Sequence, residues 1–188
     1  MNFSERVEIS GTKEELCKFV SPVEGNDTAL YLINAHLSRL AITSCSRMYE
    51  NLATLVNCRL EEPRFVNKGF MYNASDSVVT RLSREEEYRA WIAVRLYVDN
   101  ARVHLEVEDN GTGIDEEIEE LLFAERLRST KRFPEPLPFV LGGSGAHLQS
   151  SKRKIDELQG RIGHINKGQN WGALFWYEIP LENIMMRK

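Results

Sequence analysis

Between Glu108 and Asp115 the chain reads Asp109-Asn110-Gly111-Thr112-Gly113-Ile114, a carboxylate at the end of an alternating apolar run followed by two alternate glycines. An ionised carboxylate only accepts hydrogen bonds, and glycine brings no β-carbon between the backbone and a ligand. The hexapeptide therefore suits a small-molecule site, and equally an ordinary strand-ending turn. A second cluster, Gly142-Gly143-Ser144-Gly145, opens a stretch of helical character. The first N–H groups of a helix lack intrahelical partners and carry the positive end of its dipole, so this cluster suits phosphate oxygens; read alone, it also suits a plain helix entry. Cys17, Cys45 and Cys58 are odd in number and fit no zinc spacing, and His36, His104, His147 and His164 form no metal-ligand motif. Free thiols packed as small hydrophobes in a reducing compartment are the reading for the cysteines.

The elements that must position these residues are read from periodicity. A short strand is expected over 7–10 and helical character over 13–20, then a loop whose Asn26 or Asp27 caps a long helix. From Thr28 to about Asn57 there is no Gly or Pro, and Leu30, Ile33, Leu37, Leu40, Ser44, Met48, Leu52 and Leu55 recur at intervals of three and four, the pattern of one long amphipathic helix. Glu61-Glu62-Pro63 opens a second helix, with Val66, Phe70, Ala74 and Val78 as its buried stripe. Residues 91–98 and 102–108 alternate about Asp99-Asn100 and read as a β-hairpin. A short acidic helix over 115–123 precedes a loop to Leu141 long enough for a functional lid; a helix over 144–158 and strands over 161–165 and 173–179 complete the chain.

Composition bounds the function. With 188 residues, 42% apolar and 28% charged, the chain suits one compact domain with a modest extension and excludes a disordered or disulfide-stapled class. Its 24 basic residues are scattered among 28 acidic ones for a net charge of −4, which argues against nucleic acid or a membrane surface as partner. No apolar run approaches the ~20 residues of a membrane span. The start MNFSERVEIS lacks the features of a signal peptide, so a cytoplasmic location is expected.

The order of parts is the most specific signal: strand, DNGTGI, short helix, lid, GGSG, helix, then GRIGHINKGQNWGALFWYEIP. In this order the chain resembles, over roughly residues 60–181, the ATP-binding catalytic domain of sensor histidine kinases, within the GHKL superfamily that also contains gyrase and MutL. The resemblance implies an α+β fold of Bergerat type: a two-layer α/β sandwich whose mixed, mostly antiparallel sheet carries helices on one face, preceded by the long N-terminal helix. Residues 1–59 would be an N-terminal extension and 60–188 the ATP-binding domain.

The resemblance also implies ATP and Mg²⁺, with roles residue by residue. Asp109 would accept a hydrogen bond from the adenine amino group, which disfavours guanine with its carbonyl at that edge. Gly111 and Gly113 would let the backbone, with Ile114, pass close to the nucleotide. Asn73 in YNASDS matches the Mg²⁺ ligand, although Gly69 stands where the family has a second asparagine; Asn67 and Lys68 lie beside it. Thr130 and Lys131, in an STK segment, match a contact to the terminal phosphates or form a solvated charge run. Gly143, Ser144 and Gly145 match the second glycine box. Ala146 and His147 stand there in place of the usual Leu and Gly, which puts His147 near phosphate as an extra donor or a steric departure. Gly172, with Phe175 and the strand to Pro180, matches the closing glycine box, with Ala173 in place of Thr.

An acceptor histidine has one match. His36-Leu37-Ser38-Arg39-Leu40-Ala41-Ile42-Thr43 loosely resembles the family's phosphoacceptor box through His36, Arg39 and Ile42, but Leu37 replaces its acidic residue and Ala41 its proline. A solvent-facing structural histidine is the other reading. The long helix, about 30 residues or ~45 Å, supplies one of the two helices an acceptor hairpin needs. Its seam at 30, 33, 37 and 40 can pair with its twin in a homodimer or lie against the domain. Three function classes are open: a histidine-type kinase acting on His36 or on a partner such as a response regulator or another phosphoacceptor protein; a serine kinase similar to anti-sigma factors that binds a transcription factor; and a nucleotide-gated regulator without phosphotransfer.

Overall fold

The computed structural model describes residues 2–20, 25–124 and 147–186. Strict alternation of apolar and polar side chains builds its sheet. In β2 (Arg89–Asp99), Ile92, Val94, Leu96 and Val98 turn inward, and in β3 (Arg102–Asp109), Val103, Leu105, Val107 and Asp109 do the same. Period-two alternation puts these residues on one face, so the carboxylate of Asp109 enters the apolar layer as the last inward position of β3, opposite Ile92.

The five strands lie in the order β1-β2-β3-β5-β4, and all described pairings are antiparallel. The edge strand β1 (Phe3–Thr12) pairs along its whole length with β2, from Phe3 opposite Val98 to Thr12 opposite Arg89. It is longer than the expected 7–10 because one of its faces is solvent-exposed, so its polar residues carry no break in the pattern. Thr12 then starts α1 (Lys13–Cys17) with a reciprocal capping box to Glu15. At the far side β4 (Arg161–Asn166) and β5 (Ala173–Pro180) form the second hairpin, joined through residues 167–172, and a 3₁₀ turn over Leu181–Asn183 follows β5.

The helices pack on one face. In α2 (Asn26–Leu55) the buried apolar stripe runs through Leu30, Ile33, Leu37, Ala41, Cys45, Met48 and Leu52, with Asn34, Ser38 and Tyr49 buried beside it. Ala41 and Cys45 take the inward places, whereas Leu40 and Leu55 of the expected seam face outward. The expected second helix is α3 (Arg64–Leu82), entered at Pro63 and buried at Val66, Phe70, Ala74 and Val78 as its spacing predicts. It lies against α2, the sheet and α5 (His147–Glu157), so it is buried on more than one side. The acidic segment contributes only the short α4 (Glu116–Glu119), capped by Asp115.

A buried polar chain stitches the layers. Tyr49 of α2 meets the Tyr177 hydroxyl of β5 at 2.5 Å, Tyr177 donates to Asn67 Oδ1 of α3 at 2.7 Å, and Asn67 donates to Glu62 at 3.1 Å. Buried hydroxyls and amides are costly without partners, and here each finds one. Phe3 of β1 and the inward residues of α2 belong to the same hydrophobic cluster as α3 and the sheet. Among the described residues, no helix is long and apolar enough to cross a membrane.

Candidate functional site

A cavity of about 460 Å³ opens between α3, the loop after β3, α4, the start of α5 and the turn of the β4–β5 hairpin. Helical spacing accounts for its α3 wall: Asn73, Asp76, Ser77 and Thr80 are separated by three, one and three residues, hence share one face. Asp109, Gly113 and Ile114 come from the loop, Leu148 from α5, and Asn166, Ala173 and Phe175 from the hairpin.

Asp109 is only 2% exposed. Burial raises its pKa from the ordinary 3.8 to about 7, although the Gly111 amide, the Ser77 hydroxyl, Lys167 and the Ala173 amide all pull the other way. Desolvation outweighs these because the charged form is the one that loses water. The Gly111 N–H donates to its Oδ1 at 2.8 Å. Such a carboxyl, buried at the edge of a cavity, is set to take a hydrogen bond from a ligand donor.

The other residues of the hexapeptide hold the loop in place. The Asn110 amide belongs to β2, accepting from Trp91 N at 2.8 Å and donating to the Arg89 carbonyl at 2.9 Å, while Tyr88 donates to its Oδ1 at 2.6 Å. A β-carbon on Gly111 would lie 2.3 Å from Ser77 Oγ, and Thr112 N donates to that same hydroxyl at 3.0 Å. Gly113 has φ +78° and would place a β-carbon 2.4 Å from the Gly168 carbonyl. Gly172, with φ +84°, would place one 1.9 Å from the carbonyl of Asp109. Glycine is thus required at 113 and 172 by left-handed backbone and by close backbone approach. The expected closing glycine is packed directly on the backbone of the expected adenine-reading residue.

Asn73 reaches the cavity from α3. Asp76, one turn further, is 3% exposed and accepts from Asn34 Nδ2 of α2 at 2.7 Å. Among the described residues no group of three or more His, Cys, Asp or Glu side chains could hold a metal. Asn73, Asp76, Ser77 and Thr80 on this wall carry side-chain oxygens, the hard donor type that suits Mg²⁺. Asp76, Ser77 and Asn166 escaped sequence reasoning. For the first two a signal existed, since they lie at i+3 and i+4 from Asn73 on a helix.

His147 starts α5, with its ring centroid 5.2 Å from that of Phe65 and its β-carbon 3.5 Å from where one on Gly69 would be. Its Nδ1 is buried without a hydrogen-bond partner among the described residues. A β-carbon at 69 would make ordinary van der Waals contact with His147 and Ser151 of α5. Leu148, not His147, lines the cavity. His36 is half-buried on α2, away from the cavity lining, and its ring stacks on Phe19 at 5.6 Å between centroids. Thr130, Lys131, Gly143, Ser144, Gly145 and Ala146 lie outside the described residues. Tyr177 is a core residue, whereas Trp171 is 74% exposed.

A five-stranded antiparallel sheet with helices on one face and a cavity between helix layer and hairpin turn defines the class, and residues 70–183 match the histidine kinase-, DNA gyrase B- and HSP90-like ATPase family. The chain belongs to this family. A stretch of 84 residues, 43% of the chain, is 37% identical to the sensor histidine kinase AruS of Pseudomonas aeruginosa and spans 8% of that much longer protein. Among solved structures, a mycobacterial sensor histidine kinase, MprB, aligns at 21% identity over 62% of this chain and 70% of its own, with a TM-score of 0.47. The nucleotide-free catalytic domain of the histidine kinase ThkA aligns at 21% identity over 77% of this chain and 94% of its own, with a TM-score of 0.46.

Proposed function

We propose that the chain is the ATP-binding part of a protein kinase of histidine-kinase type, which binds Mg²⁺-ATP in the cavity and passes the γ-phosphoryl group to a histidine. The observation that carries this reading is the buried Asp109 carboxyl at the edge of a nucleotide-sized cavity in an ATPase-family fold. Its acceptor oxygens suit the amino group of adenine and disfavour the carbonyl of guanine. Asn73 would hold Mg²⁺ through its amide oxygen. The cation would neutralise phosphate charge beside the buried Asp76. Thr130, Lys131, Gly143, Ser144, Gly145 and Ala146 would serve the phosphate end, and Gly172 would hold the loop that carries Asp109. In this division residues 60–188 carry the nucleotide and 1–59 supply a strand and two helices to the same core.

The acceptor histidine is proposed to lie on a separate phosphoacceptor protein, with a response regulator as the candidate partner that takes the group on from that histidine. Two observations favour this over His36: one face of its ring is stacked on Phe19, and it stands apart from the cavity lining. Leu30, Ile33 and Leu37 are buried within the chain's own core, so a homodimer would use another face of α2.

Calorimetry should give Mg²⁺-dependent ATP binding by the wild type and none by Asp109→Ala; equal affinities would refute the site. Incubation with γ-labelled ATP and candidate partners then separates the classes. Acid-labile label on a partner supports the reading, and label on the chain itself lost in His36→Ala moves the acceptor to α2. Acid-stable label on a partner indicates a serine kinase, and binding without label a nucleotide-gated regulator.

A further inference from the structure

The side chain of Asn166, the last residue of β4, faces the loop that carries Asp109. Its Oδ1 accepts from Ile114 N at 3.2 Å and Gly168 N at 3.1 Å, and its Nδ2 donates to the Ile114 carbonyl at 3.0 Å and to Glu119 Oε2 at 2.8 Å. Both donors and both acceptor sites of the amide are used. The bond to Gly168 is the local one that an Asn makes in many turns. The other three cross more than 40 residues of sequence to the loop and to α4, which a simple hairpin turn does not require.

The contact is continued on both sides. Asn170 N donates to the Thr112 carbonyl at 3.0 Å, and Arg81 joins the Asn110 and Asn170 carbonyls through one guanidinium nitrogen. Beyond Asn166, Glu119 also meets His164 Nε2 at 3.1 Å. Lys167, Gln169 and Asn170 are exposed, so apolar packing does little to fix this turn against the loop. Hydrogen bonds set the geometry, and Asn166 alone makes three of those that cross from the turn to the loop and α4.

We propose that Asn166 is a positioning residue of the nucleotide site: its amide clamps the Asp109–Ile114 loop to the β4–β5 turn and to α4, and so holds the cavity wall ready for the base. The inference rests on the nucleotide reading above. Asparagine is specific here, because Asp loses both donors and sets a second carboxylate against Glu119, while Gln is a methylene too long. Without the clamp the loop must be ordered at the moment of binding, which lowers affinity.

The test uses the full chain as wild type, Asn166→Ala, Asn166→Asp, and Asn166→Asp combined with Glu119→Gln, whose amide can donate to the introduced carboxylate. In nucleotide-free protein, amide exchange at Ile114 and Gly168 should accelerate about tenfold or more in Asn166→Ala, with β2 and β3 amides unchanged. The Kd for ATP should rise about tenfold or more in Asn166→Ala and Asn166→Asp and recover in part in the double variant. Unchanged exchange at Ile114, acceleration throughout the sheet, or a Kd equal to that of wild type would each overturn the role. A wild-type chain without ATP affinity overturns the nucleotide reading, and with it this role, even where the exchange arm shows the clamp to exist.

Discussion

Asp109 connects stability and binding through one proton. Its carboxyl titrates near 7 in the folded chain, against an ordinary 3.8. Between those values the folded protein retains a proton that the unfolded chain has released, so stability falls as pH rises through this window, and the penalty is complete above about 7. Asp109→Asn removes the penalty. It should raise stability by roughly 2–4 kcal/mol at pH 8 and by nothing below pH 4, as read by thermal denaturation at the two pH values. The same variant should bind ATP more weakly, because no carboxylate remains for the adenine amino group. Parallel stability curves at both pH values would show that burial does not perturb the group. ATP affinity of the wild type should itself increase as pH rises through 7, since binding favours the ionised acceptor.

At the scale of the element, α2 is a core helix as much as an N-terminal appendage. Leu37 is 2% exposed and lies among residues that belong to the same cluster as β2 and α3. Leu37→Ala should therefore cost about 2–5 kcal/mol of global stability by urea denaturation. Far-UV circular dichroism, which tracks the helices, and fluorescence of Trp91 and Trp176 in the sheet should report one coincident transition. An early helical transition would show that α2 detaches by itself. The Tyr49–Tyr177–Asn67 chain predicts the same cooperativity, since separating α2 from β5 would leave buried hydroxyls unpaired.

For the whole molecule, the consequence concerns residues 60–188 expressed alone. That fragment lacks β1, which covers one edge of β2 along ten residue pairs, and α2, which covers α3 and part of the sheet. An uncovered edge and an uncovered apolar face favour association between copies. The fragment should aggregate or unfold without a cooperative transition; a monomer with dispersed amide resonances would contradict this. The Asn34–Asp76 hydrogen bond also ties α2 to the cavity wall, so loss of residues 1–59 removes a contact of the site as well as part of the core.

Much of this protein was legible in the sequence. Alternation located β2, β3 and β5, three-and-four spacing located α2 and α3, and the hexapeptide singled out Asp109, because each of these patterns is local. The full length of β1 was hidden, since an edge strand with an exposed face needs no apolar alternation on that side. The outward turn of Leu40 and Leu55 was hidden too, because an apolar side chain does not declare which helix face will find a neighbour. Asp76 and Ser77 could have been inferred from their spacing to Asn73, but Asn166 could not. By itself the sequence determined the elements and which residues share a face of each. Only the tertiary structure decided which faces meet, and it is there, between residues tens of positions apart, that Asn34 reaches Asp76, Gly172 backs Asp109 and Asn166 holds the loop.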